Sequence, residues 1–196
     1  MIRWQTLVLL SCIAGAAIAN ELPDAAQACV ACHGLHGEGM AQGPALAGLS
    51  ASYITAQIEH FNTRRRSNAL MTPIAEAFAA PDLLAPAAAY FAAQGKRPAL
   101  QVRGQQPAAS PGEKLYYEGD MARDIPACFS CHGPSAIGGG PFPRLAGQQA
   151  SYLAAQLHAW RKGERSGDPD NMMGAIAKRL NDKDISAMAS YLAAIH

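Results

Sequence analysis

Cys29-Val30-Ala31-Cys32-His33 and Cys128-Phe129-Ser130-Cys131-His132 are two copies of one pattern, C-x-x-C-H. Two cysteines three apart share one face of a single helical turn, and the histidine, four residues after the first cysteine, falls on that same face. With this spacing two sulfurs can add to the two vinyl groups along one haem edge while the imidazole reaches the iron, which makes C-x-x-C-H the attachment motif of c-type haem. The sequence therefore predicts two covalently attached haem c groups, one on Cys29 and Cys32 with His33, the other on Cys128 and Cys131 with His132. A bare C-x-x-C also fits a redox dithiol or half of a zinc site. Neither alternative accounts for the histidine directly after each motif or for a methionine that recurs downstream.

The two copies belong to a longer repeat. They are offset by 128 − 29 = 99 residues, and Pro44-Ala45-Leu46-Ala47-Gly48 answers to Pro143-Arg144-Leu145-Ala146-Gly147 at the same offset. Ala51-Ser52-Tyr53 and Ala56-Gln57 recur as Ala150-Ser151-Tyr152 and Ala155-Gln156, Phe61 as Trp160, and Arg66-Ser67 as Arg165-Ser166. After a three-residue insertion the offset becomes 102, and Met71-x-x-Ile74-Ala75 matches Met173-x-x-Ile176-Ala177. The chain is a duplication. Boundaries follow: a leader over 1–19, a first domain over 20–95, a Pro-, Gln- and Gly-rich linker over 96–111 and a second domain over 112–196. Domains this small are marginal on their own cores, and a buried haem adds apolar interior.

Periodicity reads as helix in both halves and the fold class as all-α. Tyr53, Ile54, Gln57, Ile58 and Phe61 form a helical stripe, repeated by Tyr152, Leu153, Gln156, Leu157 and Trp160. Ile185, Met188, Ala189, Leu192 and Ile195 form a closing helix, with Asn181 as its expected cap and Asp184 three residues on. The segments Gly34–Pro44 and Gly133–Pro143 are glycine-rich, as a backbone pressed against a flat cofactor requires.

An iron held by His33 or His132 has one axial position left, and a second strong ligand there makes an electron carrier. Met71 and Met173 occupy equivalent places in the repeat and are the expected ligands. Met172 is the rival neighbour, out of register with Met71. Met40, Met121 and Met188 have no repeat partner and read as packing or surface. Pro44 and Pro143 each lie eleven residues after their histidine, so a carbonyl of that loop can accept the other imidazole N–H. Arg66 and Arg165 are candidates for pairing with haem propionates, against the alternative of solvated charge. Arg64-Arg65-Arg66 could instead help dock an acidic partner. Tyr53, Tyr152, Phe61 and Trp160 either line the haem pocket or serve as ordinary core aromatics. His36, His60, His158 and His196 lack repeat partners and read as surface or satisfied histidines.

A net charge of +1 over 196 residues argues against a nucleic-acid binder. Four of five cysteines are taken by the two motifs, which leaves none for a disulfide framework. The fifth, Cys12, lies in an N-terminal segment that reads as a secretory signal: Arg3, an apolar run from Leu7 to Ile18, and Ala17-Ile18-Ala19 as the cleavage site. The run falls short of the ~20 apolar residues of a membrane-spanning helix. A lipobox at Leu9-Leu10-Ser11-Cys12 and an uncleaved anchor are the alternatives. Export fits haem attachment outside the bacterial cytoplasm.

The paired C-x-x-C-H motifs, each followed by P-x-L-A-G, S-Y-x-x-x-Q and M-x-x-I-A, resemble the dihaem cytochromes c4 over nearly the whole mature chain. Ile125-Pro126-Ala127-Cys128 and the stretch from Met173 to Tyr191 are especially close. The resemblance implies two class I cytochrome c domains related by a pseudo-two-fold, with axial pairs His33/Met71 and His132/Met173. It implies a periplasmic electron carrier, loosely membrane-associated, taking electrons from a quinol-oxidising cytochrome complex or a dehydrogenase and passing them to a haem-copper oxidase. The competing readings are a dihaem enzyme (a sulfur-compound oxidase or a peroxidase) and a cytochrome subunit fixed on a dehydrogenase. The first domain departs from the pattern in having only nine residues between Ala19 and Cys29, so its packing of first on last helix is expected to be reduced. Pro86 is expected to delay or bend its last helix.

Overall fold

Helices make up the regular structure of the computed structural model, apart from three isolated β-bridges, among the described residues 21–95 and 107–195. The expected signal segment 1–19, with Cys12, lies outside the described residues, as do His196 and most of the expected linker. The first half carries α1 (Asp24–His33), α2 (Ala51–Asn62), α3 (Met71–Ala77) and α4 (Pro81–Ala93). The second carries α5 (Pro111–Glu118), α6 (Phe129–His132), α7 (Ala150–Lys162), α8 (Met172–Ala177) and α9 (Asp182–Ala193).

Local chemistry starts these helices. Ser50 Oγ accepts from the Tyr53 amide and Ser110 Oγ from the Glu113 amide, each satisfying a donor that the first turn leaves open. Pro81 and Pro111 sit where a missing N–H costs nothing. Asn181 and Asp184 form the reciprocal capping box of α9.

Each half has its own apolar core. Ala26, Ile54, Ala87, Ala88, Tyr90 and Phe91 join α1, α2 and α4, whereas Leu115, Tyr116, Leu153, Ile185, Met188 and Leu192 join α5, α7 and α9. Both cores leave the ends of α3 and α8 facing a cavity between the halves.

The halves differ where the first one is short of chain. In the second half, α5 lies across α9 and the C-x-x-C-H turn is a separate four-residue helix, α6. In the first half, the ten-residue α1 carries the C-x-x-C-H turn at its end and packs on α4 by itself, burying Ala26 completely. One helix does the work of two.

Pro86 does not delay α4, which starts at Pro81 and continues through Pro86 to Ala93. A proline there removes only the bond to the Asp82 carbonyl, and both residues are exposed, so water supplies the lost partner.

The α5–α9 crossing is close enough to require glycine. A Cβ on Gly112 would lie 2.2 Å from the Ala187 carbonyl oxygen and 2.7 Å from Tyr191 Cβ. Gly112→Ala is therefore expected to lower stability by ~1–3 kcal/mol in a denaturant titration. Gly139→Ala, at a site with nothing within 4 Å, should stay within about 0.5 kcal/mol of the parent.

Candidate metal centres

His33 ends α1 and His132 ends α6, each followed by a glycine in the left-handed half of backbone space (Gly34 φ 86°, Gly133 φ 79°) that turns the chain into the loop beneath the ring. That loop returns a carbonyl to the imidazole. His33 Nδ1 lies 2.7 Å from the Pro44 oxygen, and His132 Nδ1 lies 3.0 Å from the Pro143 oxygen. A carbonyl only accepts, so Nδ1 carries the proton in both rings and Nε2 keeps its lone pair. Burial holds both imidazoles below the usual histidine range, in the neutral form that binds metal. Gly43 lets its loop lie against the first ring, since a Cβ there would sit 3.0 Å from two ring atoms of His33. At the matching place in the second half, Phe142 packs edge-on against His132, with centroids 6.2 Å apart.

Both C-x-x-C-H turns open into one cavity of about 820 Å³ that runs between the halves. Met71 and Met173 line it, and so does Met172. Their backbones are pinned: the Met71 amide donates to Asn68 Oδ1 at 2.9 Å and the Met173 amide to Asp168 Oδ2 at 2.6 Å. Among the remaining methionines, Met188 is buried in the core, while Met40 and Met121 are exposed.

The four described cysteines form no disulfide. Burial pushes the Cys128 thiol up to about 11 and raises Cys29, which suits neither a reactive dithiol nor a thiolate redox pair. Among the described residues no three His, Cys, Asp or Glu side chains converge as a metal site would need, so a zinc cluster has no place here. A haem fits better. The cavity walls are largely apolar, its lining includes Arg66, Arg144 and Arg165, and the indole Nε1 of Trp160, also on the lining, is a buried donor without a partner. A flat apolar macrocycle with anionic side arms complements that combination.

Arg66 and Arg165 lie in the seam between the halves, only 7% and 4% exposed, so neither is a solvated surface charge. Arg66 donates to Gln57 Oε1 of its own half at 2.8 Å, then across to Gln156 Oε1 at 3.0 Å and Tyr152 Oη at 3.2 Å. Arg165 mirrors it, donating to Gln156 at 2.8 Å, Gln57 at 2.8 Å and Tyr53 Oη at 3.0 Å. Each guanidinium also covers an aromatic ring of its own half, Arg66 over Phe61 at 4.4 Å and Arg165 over Trp160 at 3.8 Å. Equivalent residues exchange equivalent contacts, which is the signature of a two-fold relation between the repeats.

The run Arg64-Arg65-Arg66 is thus no continuous docking patch. Arg66 is buried, and Arg64 pairs with Glu76 at 2.9 Å. His60 is 8% exposed rather than at the surface, set beside Arg65 and Arg165, and burial with those charges lowers its pKa. Its ring abuts Gly167 of the other half. Sequence reasoning also missed the bridging role of Gln57 and Gln156. The available signal was a polar residue at the same place in both apolar stripes.

The cytochrome c family model matches residues 14–89 and again 109–195. The chain is 43% identical over 173 residues to the thiosulfate dehydrogenase electron acceptor of Stutzerimonas stutzeri (strain A1501), covering 86% of this chain and 79% of that one. The solved cytochrome c4 of Pseudomonas stutzeri superposes with a TM-score of 0.75 at 34% identity, over 87% of this chain and 94% of that one. The thiosulfate dehydrogenase of Marichromatium purpuratum gives a TM-score of 0.75 at 41% identity over 85% of this chain, which spans 36% of that longer chain. Two tandem cytochrome c domains, with two covalently bound haem c groups, define a dihaem electron-transfer protein. The chain belongs to the cytochrome c family, in its dihaem cytochrome c4 group.

The seam generates a test. In a double-mutant cycle of Arg165→Met and Tyr53→Phe, read by denaturant unfolding, the two changes should be non-additive by about 0.5–3 kcal/mol. The cycle of Arg165→Met with the distant Gly139→Ala should add within about 0.5 kcal/mol.

Proposed function

We propose that this chain is a periplasmic electron carrier in which Cys29 and Cys32 hold one haem, Cys128 and Cys131 the other, and the iron ligands are His33 with Met71 and His132 with Met173. One observation carries the reading. Two neutral imidazoles, each with Nδ1 bonded to a loop carbonyl, share a cavity with one register-matched methionine apiece. The domains are those of the repeat: a leader over 1–19 removed after Ala19, cytochrome domains over 20–95 and 112–196, and a linker over 96–111.

When bound, each haem supplies a one-electron couple, and a methionine opposite the histidine raises its potential. The chain's own residues do the rest. Pro44 and Pro143 orient the imidazoles and raise their basicity by accepting from Nδ1. The apolar walls exclude water, which keeps the charge change on oxidation from reorganising solvent. Arg66, Arg165 and the unpaired Trp160 Nε1 provide the positive, donor-rich edge that carboxylate side arms require.

The relatives' names point to the donor. Because the chain resembles thiosulfate dehydrogenase electron acceptors, a dehydrogenase that oxidises thiosulfate is the proposed source of electrons, with a quinol-oxidising cytochrome complex as the alternative. The proposed acceptor is a haem-copper oxidase, reached by a carrier that associates peripherally with the membrane. No described helix is long and apolar enough to cross one.

Carbon monoxide tests ligation directly. The reduced parent protein is expected to bind none on mixing, while Met71→Ala and Met173→Ala should each bind one equivalent. Rapid binding by the parent would instead mark an open, catalytic haem, as in a sulfur-compound oxidase or a peroxidase.

A further inference from the structure

Beside the first histidine the duplication is broken again, at Gln148. Gln148, just before the N-cap of α7, is 6% exposed and reaches across the seam to the loop that carries Pro44. Its Oε1 accepts from the Ala45 amide at 3.0 Å and its Nε2 donates to the Ala45 carbonyl at 3.0 Å. The same oxygen accepts from the Gln149 amide at 3.0 Å, which fixes the orientation of the side-chain amide. Gln149 completes the clasp, donating from Nε2 to the carbonyls of Met40 at 2.8 Å and Gly43 at 3.2 Å.

The Ala45 N–H and the Pro44 C=O belong to one peptide unit. Gln148 Oε1 therefore bonds one end of the peptide whose other end accepts from His33 Nδ1 at 2.7 Å. Hydrogen bonds in series polarise one another. Drawing density toward the Pro44 oxygen strengthens its hold on the Nδ1 proton and makes the ring a stronger donor through Nε2. The second half lacks the device: 148 − 99 = 49, and Leu49 has no polar atom on its side chain. There the His132 Nδ1 to Pro143 distance is 3.0 Å.

We propose that Gln148 is a positioning residue which, through the Pro44–Ala45 peptide, sets the donor strength of His33 from the opposite domain, so that the second domain tunes the reduction potential of the first haem. The inference rests on His33 being an iron ligand. A more electron-rich imidazole favours the ferric state, so the clasp lowers the potential of the first haem. It also ties that potential to the docking of the two halves, because Gln148 reaches the loop only while they are in contact.

The test uses the dihaem protein with Gln148→Leu, the residue that the first half carries at this place. Spectroelectrochemistry and proton NMR of the ferric form report potential and imidazole together. The expected result is a rise at the haem of His33 of about threefold or more in the reduction equilibrium constant, ~28 mV or more for a one-electron couple. The His33 Nδ1 proton should move, while the potential at His132 stays put. Gln148→Glu, which keeps an acceptor oxygen for the Ala45 amide, should leave the first potential at or below the parent's, and it decides the matter if the leucine variant does not fold. No change, equal shifts at both haems, or a rise with glutamate would overturn the proposal. Absence of a hyperfine-shifted His33 proton in the parent would show instead that the ligand assignment beneath it is wrong.

Discussion

Two guanidiniums buried in one seam constrain everything else in this molecule. Arg66 and Arg165 are nearly inaccessible, and among the described residues neither pairs with a carboxylate. Burying an uncompensated charge costs far more than a surface contact returns. The cost is met by neutral oxygens, from Gln57, Gln156, Tyr53 and Tyr152, and by two aromatic faces. Two of the three oxygens that each arginine bonds come from the opposite repeat, so neither half can satisfy its own arginine alone. The two domains are thereby held in one arrangement, with the cavity that their C-x-x-C-H turns share lying between them.

Within that symmetric frame the two centres are made different by a few substitutions. Gly43 lets backbone approach the first imidazole, whereas Phe142 sets an aromatic edge against the second. Gln148 clasps one loop, and its counterpart Leu49 cannot clasp the other. The first C-x-x-C-H turn ends a ten-residue helix that also supports the core, while the second is freed from that duty by α5. The two sites are thus built on one plan but with different imidazole surroundings.

How much of this was legible beforehand follows from the range of each interaction. Spacing within one turn and recurrence at a fixed offset are local, so both haem motifs, the all-helical class and the capping of α9 by Asn181 could be read directly. The burial of Arg66 could not be decided from its neighbours, because its partners Tyr152 and Gln156 lie 86 and 90 residues away. For His60 the reading stayed open between a surface and a satisfied histidine, because Gly167, which its ring abuts, belongs to the other repeat. Gln148 gave no signal at all, since its role depends on a backbone contact 103 residues distant. At Pro86 the local rule is outweighed, because Asp82, whose carbonyl loses its partner, is an exposed residue and the lost hydrogen bond is inexpensive.

The central claim is that each iron is gripped by nitrogen on one side and thioether sulfur on the other, so that only electrons pass. Near-infrared absorption of the fully ferric protein tests it most directly, because a sulfur–iron bond produces a charge-transfer band that other axial pairs do not. The account predicts a band of intensity equivalent to two such bonds per chain. A band worth one bond or none would contradict it.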